Sequence, residues 1–112
     1  MIVATARDAA ALLAPRFAGA EGEKLVLLHL GRDRRLIALA EHPAGSDADL
    51  VLRSRWIVGS ALALGSEGLI LAHNHPSGDP APSPEDVDIT RRLKEVGEVM
   101  GVRVLDHVVI GH

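Results

Sequence analysis

Two histidines one residue apart, His73 and His75, follow the apolar run Gly68–Ala72, and Ser83 and Asp86 come shortly after. On an extended backbone, side chains at i and i+2 leave the same face, so both imidazoles can address one point. Pro76 favours this, because the residue before a proline is pushed towards the extended region. Two neutral imidazoles and one carboxylate suit zinc. Three protein ligands leave a fourth position open for water, as in a catalytic site, whereas a structural zinc site is closed. Asp86 is the candidate carboxylate, returned towards the histidines by the segment PSGDPAP. A plainer reading exists. Ser83-x-x-Asp86 is also a capping box, in which hydroxyl and carboxylate satisfy the first free amides of a helix. The cap alone gives no reason for the histidine pair upstream; the metal reading accounts for all four residues. Ser83 can serve both, starting the helix while its hydroxyl faces the water at the metal.

Positioning these groups falls to a short series of elements. Thr5 and Asp8 open a helix whose residues Ala9, Leu12 and Leu13 share a face, with Pro15 kinking or closing it. Lys24–Leu30 and Arg35–Ala40 are strand-like runs joined by the polar turn GRDR, a hairpin. His42–Asp49, with Pro43 and Gly45, is a connection. Residues 53–65 are helical by pattern, with Ile57, Ala61 and Leu64 on one side. Gly68–Ala72 is a central strand buried on both faces. Ser83-Pro84 opens another helix, striped by Ile89, Leu93, Val96 and Met100 and ended by Gly101. Val102–Ile110 supplies the last strand, broken near Asp106. This order describes an α/β (α+β) fold, a mixed sheet with helices packed on it, residues 1–112 forming a single domain without repeats.

Composition narrows the function. A chain of 112 residues builds one core, and Trp56 and Phe17 are its only aromatics, so platforms for stacking bases are missing. A net charge of −3 also argues against direct DNA binding by this domain. The basic groups at Arg32, Arg34 and Arg35, at Arg53 and Arg55, and at Arg91 and Arg92 read as solvated surface. Cysteine is absent, which removes disulfides, thiolate zinc sites and cysteine nucleophiles together. No apolar run reaches the ~20 residues of a membrane span and no signal-peptide pattern opens the chain, so a cytoplasmic location is the expectation.

His73-Asn74-His75, seven residues, Ser83, two residues, Asp86 resembles the JAMM metal-binding motif of JAB/MPN metallopeptidase domains. The longer string AHNHPSGDPAPSPEDVDITRRL, with VLDHVVIG at 104–111, resembles the bacterial RadC family specifically, from about Glu23 to Gly111. The resemblance implies a JAB/MPN-like fold with the layered architecture of cytidine deaminases. It also implies a zinc ion (Zn2+) held by His73, His75 and Asp86, and hydrolysis of a peptide or isopeptide bond in a protein or peptide substrate. JAMM sites need an upstream glutamate, and the register of EKLVLLHLGRDRRLI puts that role on Glu23, with Glu21 and Glu67 as rivals. A carboxylate there can take a proton from water whose pKa zinc lowers towards ~7, and deliver it to a leaving amine. Ser83 would help stabilise the oxyanion.

The other histidines read as structural. His29 is packed within its strand, His42 lies in a loop, and His112 is terminal. His107, beside Asp106, admits an outer partner role to a ligand, with a structural role preferred. Gly78 and Asp79 shape the loop, and Asn74 points away from the ligands. RadC proteins usually carry an N-terminal helix-hairpin-helix portion without counterpart here, so an isolated catalytic-type domain or a fragment of a longer chain is expected. Where the family usually has a His-Pro-Arg-Glu-like run, this chain has Arg53-Ser54-Arg55-Trp56. The competing reading is a DNA-repair-associated module whose metal is structural or acts on nucleic acid. A zinc nucleobase deaminase is excluded, since no Pro-Cys-x-x-Cys exists. Oligomeric state is left open.

Overall fold

Leu25–Leu30 and Gly68–Asn74 form the middle of a four-stranded sheet, and their composition explains why: both are apolar and buried along nearly their whole length. The computed structural model describes residues 1–20, 22–42, 50–75 and 81–110, without the side chains of 50–52. Its elements are helix α1 (Ala6–Phe17), strands β1 (Leu25–Leu30) and β2 (Leu36–His42), helix α2 (Leu50–Leu64), strand β3 (Gly68–Asn74), helix α3 (Pro84–Met100) and strand β4 (Arg103–Ile110). The strand order is β2-β1-β3-β4. β1 is antiparallel to both neighbours, and β3 and β4 are parallel. The expected hairpin is therefore β1–β2, and the expected α+β architecture with a mixed sheet is the observed one. It is compatible with a JAB/MPN-like fold. No helix among the described residues is long and apolar enough to cross a membrane.

Side-chain alternation divides the core. Val26, Leu28, Ile70 and Ala72 pack with Ala9, Leu13 and Phe17 of α1. Leu25, Leu27, Leu69 and Leu71 pack with Ile57 and Ala61 of α2 and with Ile89 and Leu93 of α3. His73 continues the second set, so the pleat delivers it to the side of α2 and α3. Leu25 lies opposite His73. Glu23 stands two residues before Leu25, in the segment that leads into β1, and lines the same cavity as His73.

β4 is less regular. Leu69 partners Val104 but Ile70 partners Asp106, which leaves Leu105 as the extra residue of a bulge. The break expected near Asp106 is this bulge. An unbroken register would bring Asp106 beside Leu71; the bulge brings His107 there instead. His107 thereby joins the face that carries His73.

Other expectations shift at their edges. Pro15 lies inside α1, which continues to Phe17 because that ring is anchored in the core. β2 extends through His42, whose partner is Leu25, so His42 is a strand residue and not part of a connection. β3 runs to Asn74, two residues beyond the apolar run. Val96 and Leu64, expected on buried faces, are largely exposed. In α3 the buried stripe turns from Leu93 to Gly97. A Cβ on Gly97 would stand 2.1 Å from the carbonyl oxygen of Val102, so only glycine allows the helix this close to the chain entering β4.

Candidate metal centre

His73 lies near the end of a central strand and Asp86 in the first turn of α3; both are buried, and His75 is half-buried. His73 Nε2 is 3.0 Å from His75 Nε2 and 2.9 Å from Asp86 Oδ1. His75 Nε2 is 2.9 Å from Asp86 Oδ2. Ligands on a tetrahedral zinc with bonds of about 2.0–2.1 Å stand about 3.3 Å apart. Each imidazole is within a few tenths of an ångström of that spacing from the other and from its own carboxylate oxygen, and the donor chemistry suits the ion.

The capping box is also present. Asp86 Oδ2 accepts from the Ser83 amide at 2.7 Å, and Ser83 Oγ accepts from the Asp86 amide at 3.1 Å. Cap and imidazole contacts, alternatives at the level of sequence, thus share one carboxylate. Burial raises the pKa of Asp86, but the Ser83 amide, His73 and the remaining hydrogen bonds more than offset it and hold the carboxyl below its usual range. Burial pushes His73 below its ordinary 6.5 despite the attraction of Asp86. At neutral pH the pair is a carboxylate beside a neutral ring.

Glu23 is half-buried and lines a small cavity of about 20 Å³ together with Arg53, His73, Asp86 and His107. That is room for about one water. Glu23 Oε1 lies 3.5 Å from Arg53 Nη2. Asn74 turns away from the ligands, as expected, but has its own task. Its Oδ1 accepts from the Lys24 amide at 2.7 Å and its Nδ2 donates to the Gly22 carbonyl at 3.0 Å. One side chain therefore grips both neighbours of Glu23. Ser83 has its hydroxyl oxygen in the cap, and the residues lining the cavity do not include it.

His73, Asp86 and His107 also form a group whose ligand atoms all lie within 4.8 Å. The two candidate sets differ in what they ask of His73. His107 Nε2 contacts His73 Nδ1 at 2.8 Å, on the opposite side of the ring from Asp86 and His75. The closer contacts to the carboxylate and to a second imidazole are those around Nε2. Burial, then His73, pushes the His107 pKa down to about 4. His107, Asn74 and Arg53 are the contributors that spacing did not reveal; the string VLDHVVIG carried a signal only for the first.

The remaining expectations divide. His29 is buried, as expected, with Nδ1 2.7 Å from Ser66 Oγ and Nε2 2.9 Å from Ser60 Oγ. His42 packs edge-on to Trp56 at 4.7 Å. Glu21, Gly78, Asp79 and His112 lie outside the described residues.

A mixed sheet with a histidine pair closing a central strand, answered by an aspartate at the start of the following helix, fits a JAB-type domain. The RadC-like JAB domain model matches residues 3–112, and the chain belongs to that family. A UPF0758 protein of Shouchella clausii is 36% identical over 110 residues, covering 98% of this chain and 48% of the relative. A UPF0758 protein of Methanococcoides burtonii is 41% identical over 109 residues, covering 97% and 48%. One from Pelobacter propionicus is 48% identical over 87 residues, covering 78% and 38%. The chain spans about half the length, or less, of these curated relatives.

Proposed function

We infer that this domain is a zinc-dependent hydrolase of the JAMM metallopeptidase type, acting on a peptide or isopeptide bond. The observation that carries the reading is the convergence of His73 Nε2, His75 Nε2 and the Asp86 carboxylate within 3.0 Å of one another, beside a cavity lined by Glu23. His73, His75 and Asp86 would hold the ion. Zinc bound there would supply Lewis acidity, making water a competent nucleophile near neutral pH.

The chain's own residues supply the rest. The Glu23 carboxylate takes a proton from the attacking water and gives it to the leaving nitrogen as the C–N bond breaks. Arg53 and Asn74 hold Glu23 at the cavity, one through its carboxylate and the other through its flanking backbone. Ser83 stands at the helix start beside Asp86, and its hydroxyl proton is the candidate donor to the oxyanion. The acidic balance of the chain supports a protein or peptide substrate over nucleic acid.

Zinc titration into metal-free protein, with amide cleavage assayed beside a Glu23→Gln variant, tests the reading. The variant should bind zinc normally and lose about 10²–10⁴ in turnover. Equal turnover in both proteins would remove Glu23 from this role. Zinc binding without amide cleavage in either would favour the repair-module reading.

A further inference from the structure

His73 faces the ion position with Nε2, so Nδ1 lies on the far side of its ring, against His107 Nε2 at 2.8 Å. His107 Nδ1 lies 2.5 Å from Thr90 Oγ1, and that hydroxyl lies 2.8 Å from the carbonyl oxygen of Asp86. Side chains from β3, β4 and α3 thus form a hydrogen-bonded line that starts at one candidate ligand and ends at the backbone of another. The bulge at Leu105 is what turns His107, and not Asp106, towards it.

With both rings neutral, protons can occupy this line in two self-consistent ways. In the first, Thr90 donates to the Asp86 carbonyl and accepts from His107 Nδ1–H. His107 Nε2 then accepts from His73 Nδ1–H, and His73 Nε2 carries a lone pair. In the second, Thr90 donates to His107 Nδ1, His107 Nε2–H donates to His73 Nδ1, and His73 Nε2–H donates to Asp86 Oδ1. Each ring holds one proton in both, so exchange between them releases none. Only the first can take a cation.

We propose that Thr90 and His107 are positioning residues that hold His73 in the tautomer able to bind the ion, with the Thr90 hydroxyl as the element that permits it. This rests on the reading of His73 as a ligand. Valine at position 90 would keep the shape but set a methyl against His107 Nδ1. A buried N–H facing a methyl has no acceptor. The His107 proton would stay on Nε2, donate to His73 Nδ1, and pin His73 in the wrong tautomer. Serine keeps the hydroxyl. Glutamine at position 107 offers one acceptor and one donor in place of the two ring nitrogens.

Zinc affinity of the whole chain, by competition with a chromophoric chelator, is read beside ring ¹⁵N–¹H correlation spectra of the zinc-loaded protein. Thr90→Val should weaken zinc binding about 10-fold and His107→Ala about 10–100-fold, the range for a lost outer partner. Thr90→Ser and His107→Gln should stay close to the parent, and His107 should carry its proton on Nδ1 alone. Equal affinities for Thr90→Val and Thr90→Ser, or a His107 proton on Nε2 with zinc bound, overturn the proposal. His73→Ala separates the layers. If it binds zinc like the parent, or the parent binds none, the ligand reading falls and the relay with it. If it loses zinc while Thr90→Val is silent, the relay alone falls.

Discussion

His29 and His73 are both buried imidazoles on the two central strands, yet they are built for opposite ends. His29 closes both ring nitrogens on hydroxyls, Ser66 on one side and Ser60 on the other. His73 closes only its far nitrogen on a neutral ring and turns the near one towards a carboxylate and a second imidazole. Burial lowers the pKa of both. Desolvation therefore does not distinguish a working histidine from a structural one. The distinction lies in whether the partners exhaust the ring or leave a lone pair facing other donors.

The comparison breaks first at the ligand. His73→Ala should reduce zinc affinity by more than the ~10–100-fold typical of an outer partner, while His29→Ala leaves it unchanged in the same chelator competition. Stability should show the reverse ranking. His29→Ala opens a cavity and strips two serines of their partner, so urea unfolding in chelator should register a loss of about 2–4 kcal/mol.

Acid sharpens the contrast further. The folded pKa of His29 lies below the ordinary 6.5, so below that pH the unfolded chain binds a proton that the folded chain refuses. Its contribution is complete above about pH 6.5 and is lost as pH falls, with a slope of at most ~1.4 kcal/mol per unit. Unfolding curves at pH 7.5, 6.0 and 5.0, with zinc removed, should therefore converge less steeply for His29→Leu than for the parent. An unchanged slope would mean that burial does not keep the ring neutral. The smallest effect belongs to Asn74→Ala. Loosening the backbone around Glu23 should lower amide turnover about 5-fold, the equivalent of roughly 1 kcal/mol, with zinc affinity intact.

Much of this was legible because the information is local. The i, i+2 spacing of His73 and His75 determines a shared side on any strand, and Ser83-Pro84 with Asp86 announces a helix start at short range. The rest depends on relations that linear order does not contain. His107 reaches the site because Leu105 is looped out of register, and nothing in VLDHVVIG marks which residue will be the extra one. Asn74 meets Gly22 and Lys24 across the sheet, far away in sequence. Val96 looked as apolar as its neighbours, but the close approach at Gly97 rotates the buried stripe past it.

Leu105 also makes the last strand of this domain tolerant of losing one residue at a single place. Exchanging it for another aliphatic side chain alters packing and little else. Removing it would take out the residue that the pairing with β3 already skips: Val104 would still face Leu69, Asp106 Ile70 and His107 Leu71. The imidazole would keep its place, and a deletion at this one position should leave a folded sheet that still retains zinc.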